Sequence, residues 1–369
     1  MKTILYLSGD PLQYGGGATV CLNILKNIEG DDLQIVTSNY ALLPEDIGKK
    51  VKVRKLWMPR NRILLEFYDQ IVAPIILFIL GAQRVVCLNS IVPLLYPGRI
   101  DVFFQMRMFH FPELDNFSKK LKNILGVMSI YRAGSVYCAS KDHGRDLELR
   151  LNLKRDKIKV IHLGVSAQNE TTDTTVRRKK HLLFVSVFRP YKNLHGLVRA
   201  VIKAKATRPD FPIELHVVGK PANYPGMDAY MEKLTDLIEN SNYPEIVRWV
   251  GPLEQKDVFK ALRRCGAFVF PTRFEGFGLP LLEAMATSTP VICSSVNSLP
   301  EVGGDTVVYF NPDDEEMLVN RILNFYENGY PTELVTKALA RSQLFSWHSA
   351  TQALINDQSF IVHENDFRK

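Results

Sequence analysis

The chain has 369 residues, of which 46% are hydrophobic and 23% charged. Such a composition is that of an ordinary globular protein and excludes a disordered chain, a collagen and a disulfide-stapled mini-domain. At roughly 100–200 residues per domain the length points to two domains. The net charge of +7 is unevenly spread: residues 1–165 carry 23 Lys+Arg against 15 Asp+Glu, and residues 166–369 carry 23 against 24. Residues 49–62 (KKVKVRKLWMPRNR) hold seven basic side chains and no acid.

The first elements are short. Residues 2–8 (KTILYLS) read as a buried strand, 9–17 as a Gly-rich loop and 18–28 as a helix. That opening apolar run is too short for a secretory signal. Strands are expected at 33–37, 51–57, 84–90, 102–106, 135–139 and 158–163, with helices between most of them, including 63–80 and 117–132. The longest apolar run, Ile71–Leu80, is far short of the ~20 residues a spanning helix needs and contains Pro74. The five scattered cysteines, without a metal-type CxxC, read as buried thiols in a reducing, cytoplasmic location.

Residues 166–180 (SAQNETTDTTVRRKK) have no apolar periodicity and read as a linker. A second alternation follows, with strands expected at 182–188, 213–219, 246–250, 267–271, 290–294 and 306–310. Strands alternating with helices predict parallel sheets covered on both faces. The fold class is therefore α/β, with two Rossmann-like doubly wound domains facing each other across a cleft. In such sheets ligands lie beyond the carboxyl ends of the strands.

Two motifs carry chemistry. In Pro271-Thr-Arg-Phe-Glu-Gly-Phe-Gly-Leu-Pro-Leu-Leu-Glu283, a strand ends, a Gly-containing loop follows and Gly278 or Leu279 opens a helix. Pro280 suits a first helical turn, and a helix start offers free N–H groups to an anion. Glu275 on the loop and Glu283 one turn into the helix can serve one pocket. In Ser186-Val-Phe-Arg-Pro-Tyr-Lys-Asn193, Arg189 and Lys192 lie just past a strand end. A guanidinium fork with an ammonium suits a diphosphate.

These strings, with Ser294-Ser-Val-Asn-Ser-Leu-Pro-Glu-Val-Gly-Gly304, Lys157-Ile-Lys-Val-Ile-His-Leu-Gly164, Val217-Val-Gly219 and Val250-Gly-Pro-Leu253, resemble the retaining GT-B glycosyltransferases of family 4. One departure is Phe188, where members usually carry Gly. The resemblance implies transfer of a hexose from a nucleotide-sugar donor, with GDP-mannose favoured over a UDP-sugar. The acceptor it implies is a saccharide or lipid-linked saccharide in bacterial surface polysaccharide or lipopolysaccharide synthesis. Glu275 would lie beside the donor sugar and Glu283 would hold the ribose hydroxyls. Phe277, Gly278 and Leu279 would contact sugar and diphosphate through their backbone, and Arg189 and Lys192 would stabilise the leaving diphosphate. Gly251, Pro252 and Leu253 would pass the base. Gly15, Gly16 and Gly17 would approach the phosphates from the first domain, and His110 would face the reacting sugar.

No metal or other cofactor is expected, because these cations meet the charge of the leaving group. The domains expected are 1–165 for the acceptor and 181–346 for the donor, joined by the linker 166–180. A C-terminal segment, 347–369, crosses back to the first domain. The basic first half, with residues 49–62 and the helix 117–132, suggests docking to an anionic membrane on its cytoplasmic face. Competing readings are a nucleotide-sugar epimerase or sugar phosphorylase on the same fold, and a basic polyanion-binding protein. No nucleic-acid module is visible.

Overall fold

In the computed structural model, the described residues are 2–8, 16–30, 32–37, 43–59, 61–88, 90–105, 117–166, 180–223 and 225–363. The chain divides into two compact units, one of residues 1–164 with 346–361 and one of residues 165–345 with 362–369. Most of the expected linker, residues 167–179, lies outside the described residues, as do Gly15, His110 and residues 364–369.

The first unit is built on a seven-stranded sheet. Its strands are β1 (Thr3–Leu7), β2 (Leu33–Thr37), β3 (Lys52–Lys55), β4 (Arg84–Cys87), β5 (Arg99–Phe103), β6 (Val136–Cys138) and β7 (Ile158–Val160). They lie in the order β3-β2-β1-β4-β5-β6-β7, all parallel. The central strands β1, β2 and β4 are buried along their whole length, as a parallel sheet covered on both faces requires. The fifth strand starts earlier than its apolar run suggests, because Asp101 is buried within it as a charge partner.

That charge anchors the C-terminal segment. Arg84 and Asp101, both fully buried, pair at 2.5 Å. The Arg84 guanidinium also donates to the Tyr137 hydroxyl at 2.7 Å and to the carbonyls of Leu354 (2.9 Å) and Ile355. Those carbonyls end the helix Trp347–Ile355, where the macrodipole is negative and a cation is favoured. Beyond it, Asp357 accepts from Tyr137 (2.5 Å), Ser135 (2.8 Å) and Arg99 (2.5 Å). Burial pushes the Asp357 carboxyl upward, but these donors outweigh it and hold the group well below the usual carboxylate range. Phe360 adds a short bridge to Ile161 at the sheet edge.

The second unit has six strands: β8 (Leu182–Val185), β9 (Leu215–Val218), β10 (Val247–Gly251), β11 (Ala267–Phe270), β12 (Val291–Ser294) and β13 (Val308–Phe310). Their order is β10-β9-β8-β11-β12-β13, again all parallel. One core cluster joins Phe184, Val217 and Val269 of the sheet to Leu197, Val201, Leu318 and Ile322 of the covering helices. Burying each such side chain contributes about 1.5–3 kcal/mol. In both sheets the chain winds outward from β1 or β8 and then restarts on the other side with β4 or β11. This reversal of strand order leaves a crevice at the strand ends. All five cysteines are buried and none is in a disulfide.

Candidate active site

The carboxyl ends of β8 and β11, the two strands at that reversal in the second unit, carry both sequence motifs. After β8 the chain runs extended through Arg189, turns through Pro190–Lys192 and enters the helix Leu194–Thr207 at Asn193, whose φ is 58°. After β11 it passes Thr272 to Phe277 and enters the helix Leu279–Ala286. Two hydrogen bonds join these loops: Arg273 N–H and the Thr272 hydroxyl both donate to the Tyr191 carbonyl, at 2.8 and 3.1 Å.

The result is that Lys192 Nζ and Glu275 Oε2 meet at 2.5 Å, with both side chains mostly buried. The ammonium lies 5.3 Å from the ring centroids of Tyr191 and Phe270. A cation over aromatic faces and against a carboxylate is held in place without a tight hydrogen-bond cage. Arg189 is exposed at the start of the same turn.

Glu275 is positioned by two residues to which no role is assigned above. The Asn297 side-chain carbonyl accepts from Glu275 N–H at 3.4 Å, and the Ser298 hydroxyl donates to the Glu275 carbonyl at 3.4 Å. Asn297 has φ 50°, a left-handed conformation that asparagine tolerates. An Asn-Ser pair after a buried strand is the signal that could have marked them.

Gly278 caps the helix with φ 102°, and a Cβ there would lie 2.7 Å from Leu299. No side chain caps this helix start. Leu282 N–H closes on the Gly278 carbonyl, and Pro280 has no N–H. The N–H groups of Leu279 and Leu281 are therefore the donors the first turn presents. Phe277 is buried edge-to-face against Phe345. Gly276 faces open space, with no atom within 4 Å of a Cβ built on it.

Glu283 lies one turn further along, half-buried, and its Oε1 accepts from Gln255 Nε2 at 2.7 Å. Burial pushes its carboxyl up to about 7, opposed by that hydrogen bond. Gln255 opens the helix Gln255–Arg264, with Glu254 as its N-cap between it and Gly251, Pro252 and Leu253. Gly251 has φ 84°, and its carbonyl accepts from Gly219 N–H at 2.9 Å. This brings the 251–253 loop, Glu283, Glu275, Lys192 and the Gly278 turn to one end of one sheet. Phe188 has its side chain in the core, against Phe184 and Trp249, and bridges Pro221 through its backbone.

In the first unit, Gly16 and Gly17 open the helix Gly16–Lys26. A Cβ on Gly17 would meet Gln105 Oε1 at 2.7 Å, so glycine permits that close packing. Gly15 and His110 lie outside the described residues.

Comparison with known proteins adds to this geometry. Residues 169–341 match the family described as "Glycosyl transferases group 1". The O-antigen chain mannosyltransferase B of Escherichia coli is 33% identical over 178 residues, covering 48% of this chain and 45% of that protein. The O-antigen chain mannosyltransferase RfbU of Salmonella typhimurium is 28% identical over 248 residues, covering 66% and 65%. The chain thus spans less than two thirds of either relative. Anabaena Alr3699/HepE, solved with UDP and glucose, superposes with a TM-score of 0.74 over 97% of this chain and 99% of that one, at 16% identity. Sucrose-phosphate synthase from Thermosynechococcus elongatus superposes at 0.71 over 96% and 98%, at 18% identity. The fold is the GT-B architecture of these structures.

Proposed function

We propose, from the premise that residues 169–341 are a glycosyl transferases group 1 domain, that the chain is a retaining, metal-independent hexosyltransferase acting in bacterial surface polysaccharide synthesis. The observation that carries this reading is the Lys192–Glu275 pair at the carboxyl ends of β8 and β11, one loop from an uncapped helix start.

In the proposed reaction, the bond from the donor's anomeric carbon to its phosphate oxygen breaks. A bond from the acceptor hydroxyl oxygen forms on the same face of the sugar, and the acceptor's proton passes to the departing phosphate oxygen. Negative charge grows on the diphosphate. Lys192, Arg189 and the Leu279 and Leu281 N–H groups are the fixed positive groups placed to meet it. Glu275 lies beside the sugar, where its charge favours the oxocarbenium-like carbon. Glu283, as a carboxylate, accepts from the ribose hydroxyls, and the loop Gly251, Pro252 and Leu253 passes the base.

GDP-mannose is the proposed donor, in keeping with the mannosyltransferase names of the two relatives. A thermal-shift screen of GDP-mannose against UDP-glucose tests this, since a ligand of the native state raises apparent stability by mass action. Stabilisation by UDP-glucose alone overturns the donor. The anomeric configuration of the product, read by NMR, tests retention. Hydrolysis or phosphorolysis without an acceptor would favour the competing enzyme readings.

The proposed acceptor is a lipid-linked saccharide reached at an anionic membrane. Leu64, Phe67, Ile71, Ile75 and Phe78 are 53–66% exposed, spaced as one face of the helical stretch Arg62–Ile79. Trp57, 79% exposed, meets Tyr68 on that stretch and is preceded by exposed Lys49, Lys52 and Lys55. Ile124, Met128 and Tyr131 are exposed on the helix Phe117–Arg132. The segment Val92–Leu94 bonds both helices, through Gln70 and Arg132. An apolar surface this extended, with cations beside it, suits the boundary of an anionic bilayer. No helix among the described residues is long and apolar enough to cross a membrane.

A further inference from the structure

The sheet of the second unit holds another concavity, nearer the opposite ends of the strands from Lys192 and Glu275. A cavity of about 380 Å³ lies between β8–β10 and the helix Gln255–Arg264. Its polar lining is His181, just before β8, His216 and Arg248 in the first halves of β9 and β10, and Arg264 at the end of the helix. Trp249 and aliphatic side chains complete it.

The His181 and His216 rings are stacked, with centroids 3.8 Å apart and planes 15° from parallel. His216 sits beside Arg248 in the strand register. Glu214 bonds His216 Nε2 at 2.6 Å and is the acid on that side. Arg248 and Arg264 are exposed, and neither forms an ion pair with a described residue. Two guanidinium forks beside a flat imidazole pair and apolar walls complement a flat organic body that carries an oxyanion.

Two contacts run from this cavity to the candidate active site. The helix that lines it begins at Gln255, which bonds Glu283. Trp249 packs on Phe188, the residue before Arg189, at 5.9 Å between centroids. We infer that the cavity is an effector site for a small organic phosphate with a flat body, and that its occupancy alters donor affinity at the strand tips. Binding there stands independently of the proposed reaction; only the effect on donor affinity rests on it.

Phenyl phosphate is the probe, titrated calorimetrically into the full chain. The expected result is saturable binding that weakens at least about tenfold in Arg248→Gln/Arg264→Gln, as loss of charge-assisted hydrogen bonds requires. Both arginines are exposed, and an unchanged melting curve verifies the fold. Inorganic phosphate is expected to bind at least about tenfold more weakly, because it lacks the ring. Equal affinity of the double variant, equal affinity for inorganic phosphate, or competition with GDP or UDP for one site would each overturn the binding site. Saturating phenyl phosphate should shift GDP or UDP affinity by about fivefold or more, and reciprocally. Binding without any such shift overturns the effector role and leaves the donor site untouched. Failure of GDP and UDP to bind at all is instead a failure of the proposed function.

Discussion

Lys192 and Glu275 are 83 positions apart in sequence and meet at 2.5 Å, because β8 and β11 are neighbours in the sheet and both chains leave it at the same end. The pair combines the two charges that the proposed transfer needs, one for the leaving group and one for the sugar. Its position is fixed from behind by Tyr191, Asn297 and Ser298 rather than by the pair itself.

Lys192→Ala and Glu275→Ala should each lower kcat by about 10²–10³, the range found for removing one preorganised electrostatic group. Donor KM should change little. Full activity of Arg189→Ala/Lys192→Ala, in a steady-state assay with the donor that binds, would remove the diphosphate role.

Glu283 gives a pH signature. Its carboxyl titrates at about 7 in the folded chain, against 4.5 ordinarily. It holds its proton more tightly folded than unfolded, so its contribution to stability is full below 4.5 and is lost as pH rises through about 7. Donor binding runs the other way, since the ionised form is the better acceptor for the ribose hydroxyls. Nucleotide affinity should rise between about pH 6 and 8, and Glu283→Gln should weaken binding and flatten that rise. Calorimetric Kd values across the range decide it.

Gly276 and Gly278 should respond oppositely to alanine. Gly278→Ala puts a Cβ at φ 102° and 2.7 Å from Leu299, and should cost about 1–3 kcal/mol in denaturant unfolding. Gly276→Ala meets no atom within 4 Å. It should leave the melting temperature unchanged while weakening donor binding, because its methyl enters the space beside Glu275.

Arg84→Met should cost about 3–5 kcal/mol, since Asp101 would be left buried without its cation. The helix Trp347–Ile355 should then become sensitive to limited proteolysis. Arg84→Met/Asp101→Leu should recover part of the loss.

Phe67→Ser/Ile75→Ser/Phe78→Ser should abolish binding to anionic vesicles without lowering the melting temperature, as all three side chains are exposed. Lys49→Glu/Lys52→Glu should weaken it mainly at low salt. Vesicle co-sedimentation reads both, and wild-type indifference to anionic lipid would remove the membrane.

The strands were legible because each is a short apolar run bounded by turn residues. The β8 and β11 motifs were legible because glycine, proline and charge must fall at fixed places after a strand. Other features left no such trace. Arg84 and Asp101 sit in strands where a single charge reads as a boundary, and the Leu354 and Ile355 carbonyls that Arg84 bonds lie more than 200 residues away. Residues 63–80 read correctly as helical, but an apolar run does not say which of its faces the rest of the fold covers. His181 and His216 are isolated histidines in sequence, and only the register of β8 against β9 brings them into contact.

The first unit is discontinuous, and this bears on synthesis. Arg84 and Asp101 are made before the second unit, but the carbonyls of Leu354 and Ile355 that Arg84 bonds are made after most of it. The second unit is nearly continuous, from 165 to 345, and can close while the first still waits. Domains generally fold as units as they leave the ribosome. Here the unit begun first should be the one finished last, so a truncation before residue 346 should leave an orphaned, aggregation-prone first unit beside a folded second one.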